Sequence, residues 1–172
     1  MDAECYKVPD EQATATIAEL INKYQPDTII TFAPDGSTGH PDHMAISRWT
    51  LAAAKAANSS ARILYAVDTK EQYEAYLKDI HQKFDLYFNV VSPCPVPKDE
   101  CDLILCLTPE ISAIKFDALA AMPSQTQDIM AAFGKETFQK VVDCEAFVDC
   151  ATTHTWATPR SLQLTDEILT RS

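Results

Sequence analysis

The sequence predicts an α/β fold built on a mostly parallel sheet. Three observations predict it. Short apolar, β-branched runs alternate with longer segments of helical period; the first 67 residues read helix, strand, loop, helix, strand; and a glycine-containing loop joins the first apolar run to an alanine-rich helix.

The elements follow in order. The opening MDAECYKVP has no clear period and reads as a loose lead-in. Asp10 is placed to cap a helix through EQATATIAELINKYQ, where Ala13, Ile17, Leu20 and Ile21 recur at helical spacing, and Pro26 ends it. DTIITFAP (27–34) has the pattern of a strand buried on both faces. After the turn GSTGH, the segment PDHMAISRWTLAAAKAA is a strong helix on alanine content. ARILYAV (61–67) reads as a second buried strand, and KEQYEAYLKDIHQKF (70–84) as an amphipathic helix or lid. LYFNVV reads as a short strand, SPCPVPKDE, with three prolines, as a loop, and DLILCLT (102–108) as a strand. Pro109 opens a helix through ISAIKFDALAAM that Pro123 breaks. Ser124 caps QTQDIMAAFG, which Gly134 closes. From Ala151 the chain is polar and Thr-rich, with weak structure expected. The expected organisation is one domain over 1–150 and a tail over 151–172.

Composition narrows the function. With 14 basic and 25 acidic residues the net charge is −11, a balance that repels nucleic acid and anionic lipid and favours solubility. No basic-then-apolar leader and no membrane-length apolar run are present, so a cytoplasmic protein without a membrane span is expected. The six cysteines form no C-x-x-C pair and are read as reduced and partly buried.

The stretch GSTGHPDHMAIS concentrates two of the three glycines and two of the four histidines. It leaves the carboxyl end of a strand and enters a helix, where ligand sites of open α/β sheets collect. Pro41 suits the first helical position, which makes His40 the N-cap and puts His43 three residues on, on the same face. The positive end of the helix dipole disfavours imidazolium, leaving a neutral ring able to bind metal, and favours anions, including an oxyanion formed on a substrate. Gly36 and Gly39 permit positive φ and close approach to a ligand. Asp35 can cap or bind within the turn, and Asp42 complements the dipole or orients a histidine. Two histidines at a helix start also serve as simple caps, and spacing alone leaves both readings open. Catalytic zinc takes about three protein ligands, and this turn offers two histidines and two aspartates at most; His81 and His154 are expected to be exposed.

PDTIITFAPDGSTGHPDHMAIS resembles the second motif of the LmbE/PIG-L family of zinc-dependent N-deacetylases, a strand ending in D-G-x-x-G-H-P-D-H and then a helix. Asp35, Gly36, Gly39, His40, Pro41, Asp42 and His43 match. AIKFDALAAMPSQ is similar to the family's K-x-x-A-x-x-x-H-x-S-Q segment at Lys115, Ala118, Ser124 and Gln125, with Met122 near the usual histidine. CEAFV (144–148) resembles its E-x-F element. The resemblance implies a Rossmann-like three-layer fold and zinc, or another divalent metal, as cofactor. It implies His43 as a metal ligand, and His40 as the group that polarises the acetyl carbonyl, with Asp42 tuning it. Asp35, Gly36 and Gly39 would line the substrate, a small-molecule N-acetyl amino-sugar conjugate.

The family's first motif, H-P-D-D, does not occur; PDEQ at 9–12 echoes it without the histidine. The expectation is therefore an N-terminally truncated domain, incomplete as this chain. It would be a shortened reading of a full enzyme, half of a split site, or a non-catalytic remnant or metal- or sugar-binding module of the same fold. A sheet lacking its first strand exposes an edge, which makes self-association an expectation too. A third reading is a cysteine-dependent hydrolase or redox protein using Cys94, which lies between two prolines with Lys98 as the nearby cation.

Overall fold

The computed structural model describes residues 4–160. They fall into two compact units: 4–67, 87–94 and 148–160 in the first, 68–86 and 95–147 in the second. In chain order the elements are α1 (Asp10–Tyr24), β1 (Thr28–Phe32), α2 (Pro41–Ala56) and β2 (Arg62–Val67). Helix α3 occupies 70–84 as Lys70–Gln72, a π turn at Tyr73–Leu77 and Lys78–Phe84. Then follow β3 (Leu103–Cys106), α4 (Pro109–Ala120), α5 (Pro123–Val142) and β4 (Cys144–Asp149).

In the first unit β1 runs parallel to β2, with Thr28 opposite Arg62 and Phe32 opposite Ala66. Helices α1 and α2 pack on each other and on this pair. Their shared core is Ile21, Ala53, Ala54 and Ile63, with Ile17, Ala18, Ile29 and Ala57 against it. Alanines at the contact let the two helices approach closely, which is the structural use of the alanine-rich sequence. Strand β2 is buried through Ile63, Leu64 and Tyr65. Strand β1 is not buried on both faces as expected: it stands at a sheet edge, and Ile30 is 58% exposed.

Three further expectations for this unit change. Asp10 does not cap α1; the helix begins at Asp10 itself, after Pro9. Its carboxylate is taken by Arg48, with Nε at 3.1 Å and Nη2 at 2.7 Å, and by Trp49 Nε1 at 2.6 Å. In the first turn it still complements the dipole, and these donors hold its carboxyl below the usual aspartate range. LYFNVV forms no strand; Val90 makes one isolated bridge, to Pro159. Nor is the lead-in loose from Glu4 on: a 3₁₀ turn at Cys5–Lys7 brings Tyr6 N within 2.8 Å of Asp42 Oδ1.

In the second unit Thr69 caps α3 in a capping box with Gln72. Thr108 caps α4, and Pro109 takes its first position as expected. Ser124 lies inside α5 rather than at its cap, because α5 starts at Pro123. Gly134, at φ 78° and ψ 162°, closes the first helical stretch of α5 as expected, and a second stretch follows it to Val142. The unexpected strand β4 pairs antiparallel with β3, from Leu103 opposite Phe147 to Cys106 opposite Cys144. Strands β1 and β2 thus pair parallel, and β3 and β4 antiparallel, in an α/β fold.

Ile63→Ala should cost about 2–5 kcal/mol, because Ile63 is packed in the α1–α2–β2 core. Ile30→Ala should stay within about 0.5 kcal/mol, as exposed positions do. Urea unfolding of both variants checks the contrast; equal losses would contradict the exposed edge.

Candidate functional site

The site is the turn between β1 and α2. Gly36 N closes onto Ala33 O at 2.9 Å. Asp35 is buried and holds the turn from its side chain: Oδ1 accepts from Ser37 N and Oδ2 from Ala157 N, both at 3.0 Å. Burial pushes the Asp35 carboxyl above the ordinary aspartate range, against the pull of those two donors. Gly36 and Gly39 both adopt positive φ, at 68° and 80°. At Gly39 a second constraint applies, since a Cβ there would lie 2.5 Å from the Asn89 carbonyl oxygen. The 87–94 segment reaches this close because Asn89 N donates to Thr38 O at 3.2 Å and Asn89 Nδ2 to Gly39 O at 2.8 Å.

From that turn the chain enters α2 as the sequence predicts. His40 is the N-cap, Pro41 the first helical residue, and His40 Nδ1 accepts from Asp42 N at 3.2 Å. The ring of His43 stacks on Phe32 with centroids 3.8 Å apart and planes 3° apart. The two histidine rings lie 4.6 Å apart, and Phe88 meets His40 edge-on at 6.1 Å.

The hydrogen bonds settle the tautomers. Nδ1 of His40 receives a backbone N–H, so it carries the lone pair and the proton sits on Nε2. Nδ1 of His43 lies 3.2 Å from Gly36 O, and a carbonyl only accepts, so this Nδ1 carries a proton and, in the neutral ring, Nε2 carries the lone pair. Two adjacent imidazoles therefore present opposite chemistry. His40 offers a donor at Nε2, and His43 offers a ligand-type or basic nitrogen.

The structure brings Asp35, Gly36, Gly39, His40, Asp42 and His43 together in one unit. Asp35 and the glycines shape the turn. Asp42 meets His40 through its backbone N–H and anchors Tyr6 with its carboxylate. Residues not singled out in the sequence complete the surroundings: Tyr6, Phe32, Phe88, Asn89 and Ala157. Only Phe32 had a signal, as the last aromatic before the turn. The tail expected to have weak structure supplies Ala157 N here, and Arg160 N donates to Asn89 O at 2.7 Å. Residues 161–172 of that tail lie outside the described residues.

His81 and His154 are half-buried rather than exposed. His81 faces Asp85 at 3.8 Å, and His154 tilts against Trp156 with its Nε2 buried and unbonded among the described residues. Cys94 donates to Thr155 O at 3.3 Å, beside a 240 Å³ cavity whose lining contains no histidine or cation. That setting gives the thiol no activating partner. In the second unit Lys115 is ion-paired with Glu145 and donates to Val142 O at 2.8 Å.

For a metal, His43 fits as one ligand. Its Nδ1–H on the Gly36 carbonyl favours the tautomer with the lone pair on Nε2, the usual outer-sphere arrangement for a ligating imidazole. A catalytic zinc site needs about three protein donors. Among the described residues no group of three or more His, Cys, Asp or Glu side chains could hold a metal ion. The described residues therefore do not fit a complete zinc centre.

Comparison with known proteins bears on this turn. The family model for PIG-L, GlcNAc-PI de-N-acetylase, matches residues 1–54. A 1D-myo-inositol 2-acetamido-2-deoxy-alpha-D-glucopyranoside deacetylase of Actinosynnema mirum is 29% identical over 119 residues, 69% of this chain and 41% of that protein. A deacetylase of the same name in Saccharopolyspora erythraea, numbered 1, is 32% identical over 88 residues, 51% of this chain and 29% of its own length. The corresponding protein of Corynebacterium glutamicum is 40% identical over 70 residues, 41% of this chain and 23% of its own length. The chain thus spans less than half the length of these curated relatives.

Gly39→Ala should cost more than the ~1 kcal/mol of an ordinary left-handed penalty, because the methyl would also displace the Asn89 backbone. Thermal unfolding checks it, and a loss no larger than at the open Gly134 would argue against the close approach. Asp35 sets a pH test. Its raised pKa means the folded chain binds this proton more tightly, so its contribution to stability is highest below the ordinary aspartate pKa and falls as pH rises through the raised value. Asp35→Asn should remove that decline, so wild type should lose stability relative to the variant between about pH 3 and pH 7. Urea unfolding across this range reads it; parallel profiles would refute the assignment.

Proposed function

We infer that this chain, a relative of the LmbE/PIG-L family, takes part in removing the N-acetyl group from a small-molecule amino-sugar conjugate. The single observation that carries the reading is the opposed tautomer pair at the start of α2. An amide hydrolase needs a hydrogen-bond donor where negative charge develops on the carbonyl oxygen, and a separate electron-pair donor near it. His40 Nε2–H is the donor: it binds the acetyl oxygen weakly in the ground state and more strongly as that oxygen becomes an oxyanion. The α2 N-terminus adds a field of the same sign. His43 supplies the electron pair, held in place by the Phe32 stack and the Gly36 carbonyl. Asp42 positions His40 through its backbone N–H, and Asp35 with the glycines forms the wall against which the sugar sits.

We assign zinc to His43 on kinship and tautomer, with further donors that the described residues do not place beside it. The substrate class follows the relatives, whose names specify an acetamido sugar joined to inositol. We place the reaction in the cytoplasm: the six thiols include no disulfide among the described residues, and no helix there is long and apolar enough to cross a membrane. The alternative is a module of the same fold that binds metal or sugar without turnover, which the lack of a three-donor group among the described residues favours.

Calorimetry with zinc and acetate release from N-acetylglucosaminyl-inositol separate the readings. His43→Ala should abolish zinc binding. His40→Ala should leave it intact and lower turnover by about 10²–10³-fold, as removal of an oxyanion donor does. Equal zinc affinity in wild type and His43→Ala would sink the metal assignment. Zinc binding without acetate release would establish the binding module instead.

A further inference from the structure

We propose that Cys106 and Cys144 form a disulfide-forming pair that links β3 to β4 by exchange with a low-molecular-weight disulfide such as oxidised glutathione. The register places the two residues directly opposite each other. One step along, Leu107 N donates to Asp143 O at 2.8 Å, which marks 107 and 143 as a hydrogen-bonded pair. Residues 106 and 144 are therefore a non-hydrogen-bonded pair. At such pairs Cα atoms come to about 4.5 Å and side chains stand closest on one face. That separation lies inside the span of about 4.4–6.8 Å a disulfide bridges.

The surroundings hold this geometry in place. Gln72 Nε2 donates to Cys144 O at 3.2 Å, Ser112 bonds Asp143, and Lys115 pairs with Glu145. The neighbouring Cys101 is engaged elsewhere, with Pro97 O at 3.6 Å. Burial first, then the neighbouring Cys106 thiol, pushes the Cys144 thiol up to about 11. Cys106 is exposed and Cys144 half-buried, so Cys106 is the group an incoming disulfide meets.

The exchange balances in two steps. The Cys106 thiolate attacks one sulfur of the small disulfide, giving a mixed disulfide and one small thiolate. Cys144, its proton passing to water or to that thiolate, then attacks the Cys106 sulfur and expels the second small thiol. Two cysteine thiols are oxidised and one small disulfide is reduced to two thiols. Cys144 lines a cavity of about 300 Å³ together with Tyr76, Lys98 and Lys140, so the linkage also fixes one wall of that space.

The test treats the full chain with oxidised glutathione, alkylates the remaining thiols and maps tryptic peptides. The expected product joins peptide 99–115 to peptide 141–160, with fragmentation placing the bond between Cys106 and Cys144. It should persist in the Cys101→Ser/Cys150→Ser double variant, since these are the other cysteines of the two peptides. The oxidised chain should melt higher than the reduced one by on the order of 10 °C, and Cys106→Ser should lose that rise. Recovery of glutathione mixed disulfides only, or a linkage through Cys101 or Cys150, would overturn the proposal. Mapping the wild type alone keeps it falsifiable should Cys106→Ser fail to fold.

Discussion

The first unit depends on one close approach of backbone to backbone, Gly39 against Asn89. Any side chain at position 39 would collide with the Asn89 carbonyl, and position 39 itself needs positive φ. Glycine meets both conditions at once. The approach is held by Asn89 N on Thr38 O and Asn89 Nδ2 on Gly39 O, so the 87–94 segment closes over the turn. Asp35 supplies the third fastening, by accepting from Ser37 and Ala157. With these three in place the chain reaches His40 in the extended conformation an N-cap requires, and α2 starts at Pro41.

The chemistry of the pair follows from where the turn leaves two main-chain groups. One is an N–H, on Asp42, and it reaches His40. The other is a carbonyl, on Gly36, and it reaches His43. Identical side chains three residues apart thus carry their protons on opposite nitrogens. No charged residue is needed to distinguish them; the difference is between a backbone donor and a backbone acceptor. The Phe32 stack and the Phe88 edge contact then limit ring rotation, so that the two Nε2 atoms keep their separate characters.

Much of this was legible in the residues, and the exceptions share a cause. Helical period and alanine content located α1 and α2, and a proline after a histidine located the start of α2 to the residue. Asp10 had the right type and position for a cap, yet Arg48 and Trp49, 38 and 39 residues away, compete for its oxygens and win. LYFNVV has the composition of a strand, but Asn89 within it spends its donors on the turn instead of on a ladder. In each case local preference was read correctly, and a partner distant in sequence decided the outcome.

The sequence by itself determined the α/β class, the position of the turn, the glycines that make it possible, and the histidines that follow Gly39 and Pro41. These are properties of residue type and short spacing, which act through local sterics, propensity and capping. Only the tertiary structure decided which nitrogen of each histidine carries the proton, which segments close over the turn, and that Cys106 and Cys144 face each other across two strands. The closing segments depend on single hydrogen-bond donors and acceptors brought together from far apart, 36 residues for Tyr6 with Asp42 and 122 for Asp35 with Ala157, whereas the histidine protons are set by main-chain groups 2 and 7 residues away that only the folded turn aims at the rings. No periodicity encodes such pairs, because each is set by where the folded backbone places one N–H or one carbonyl.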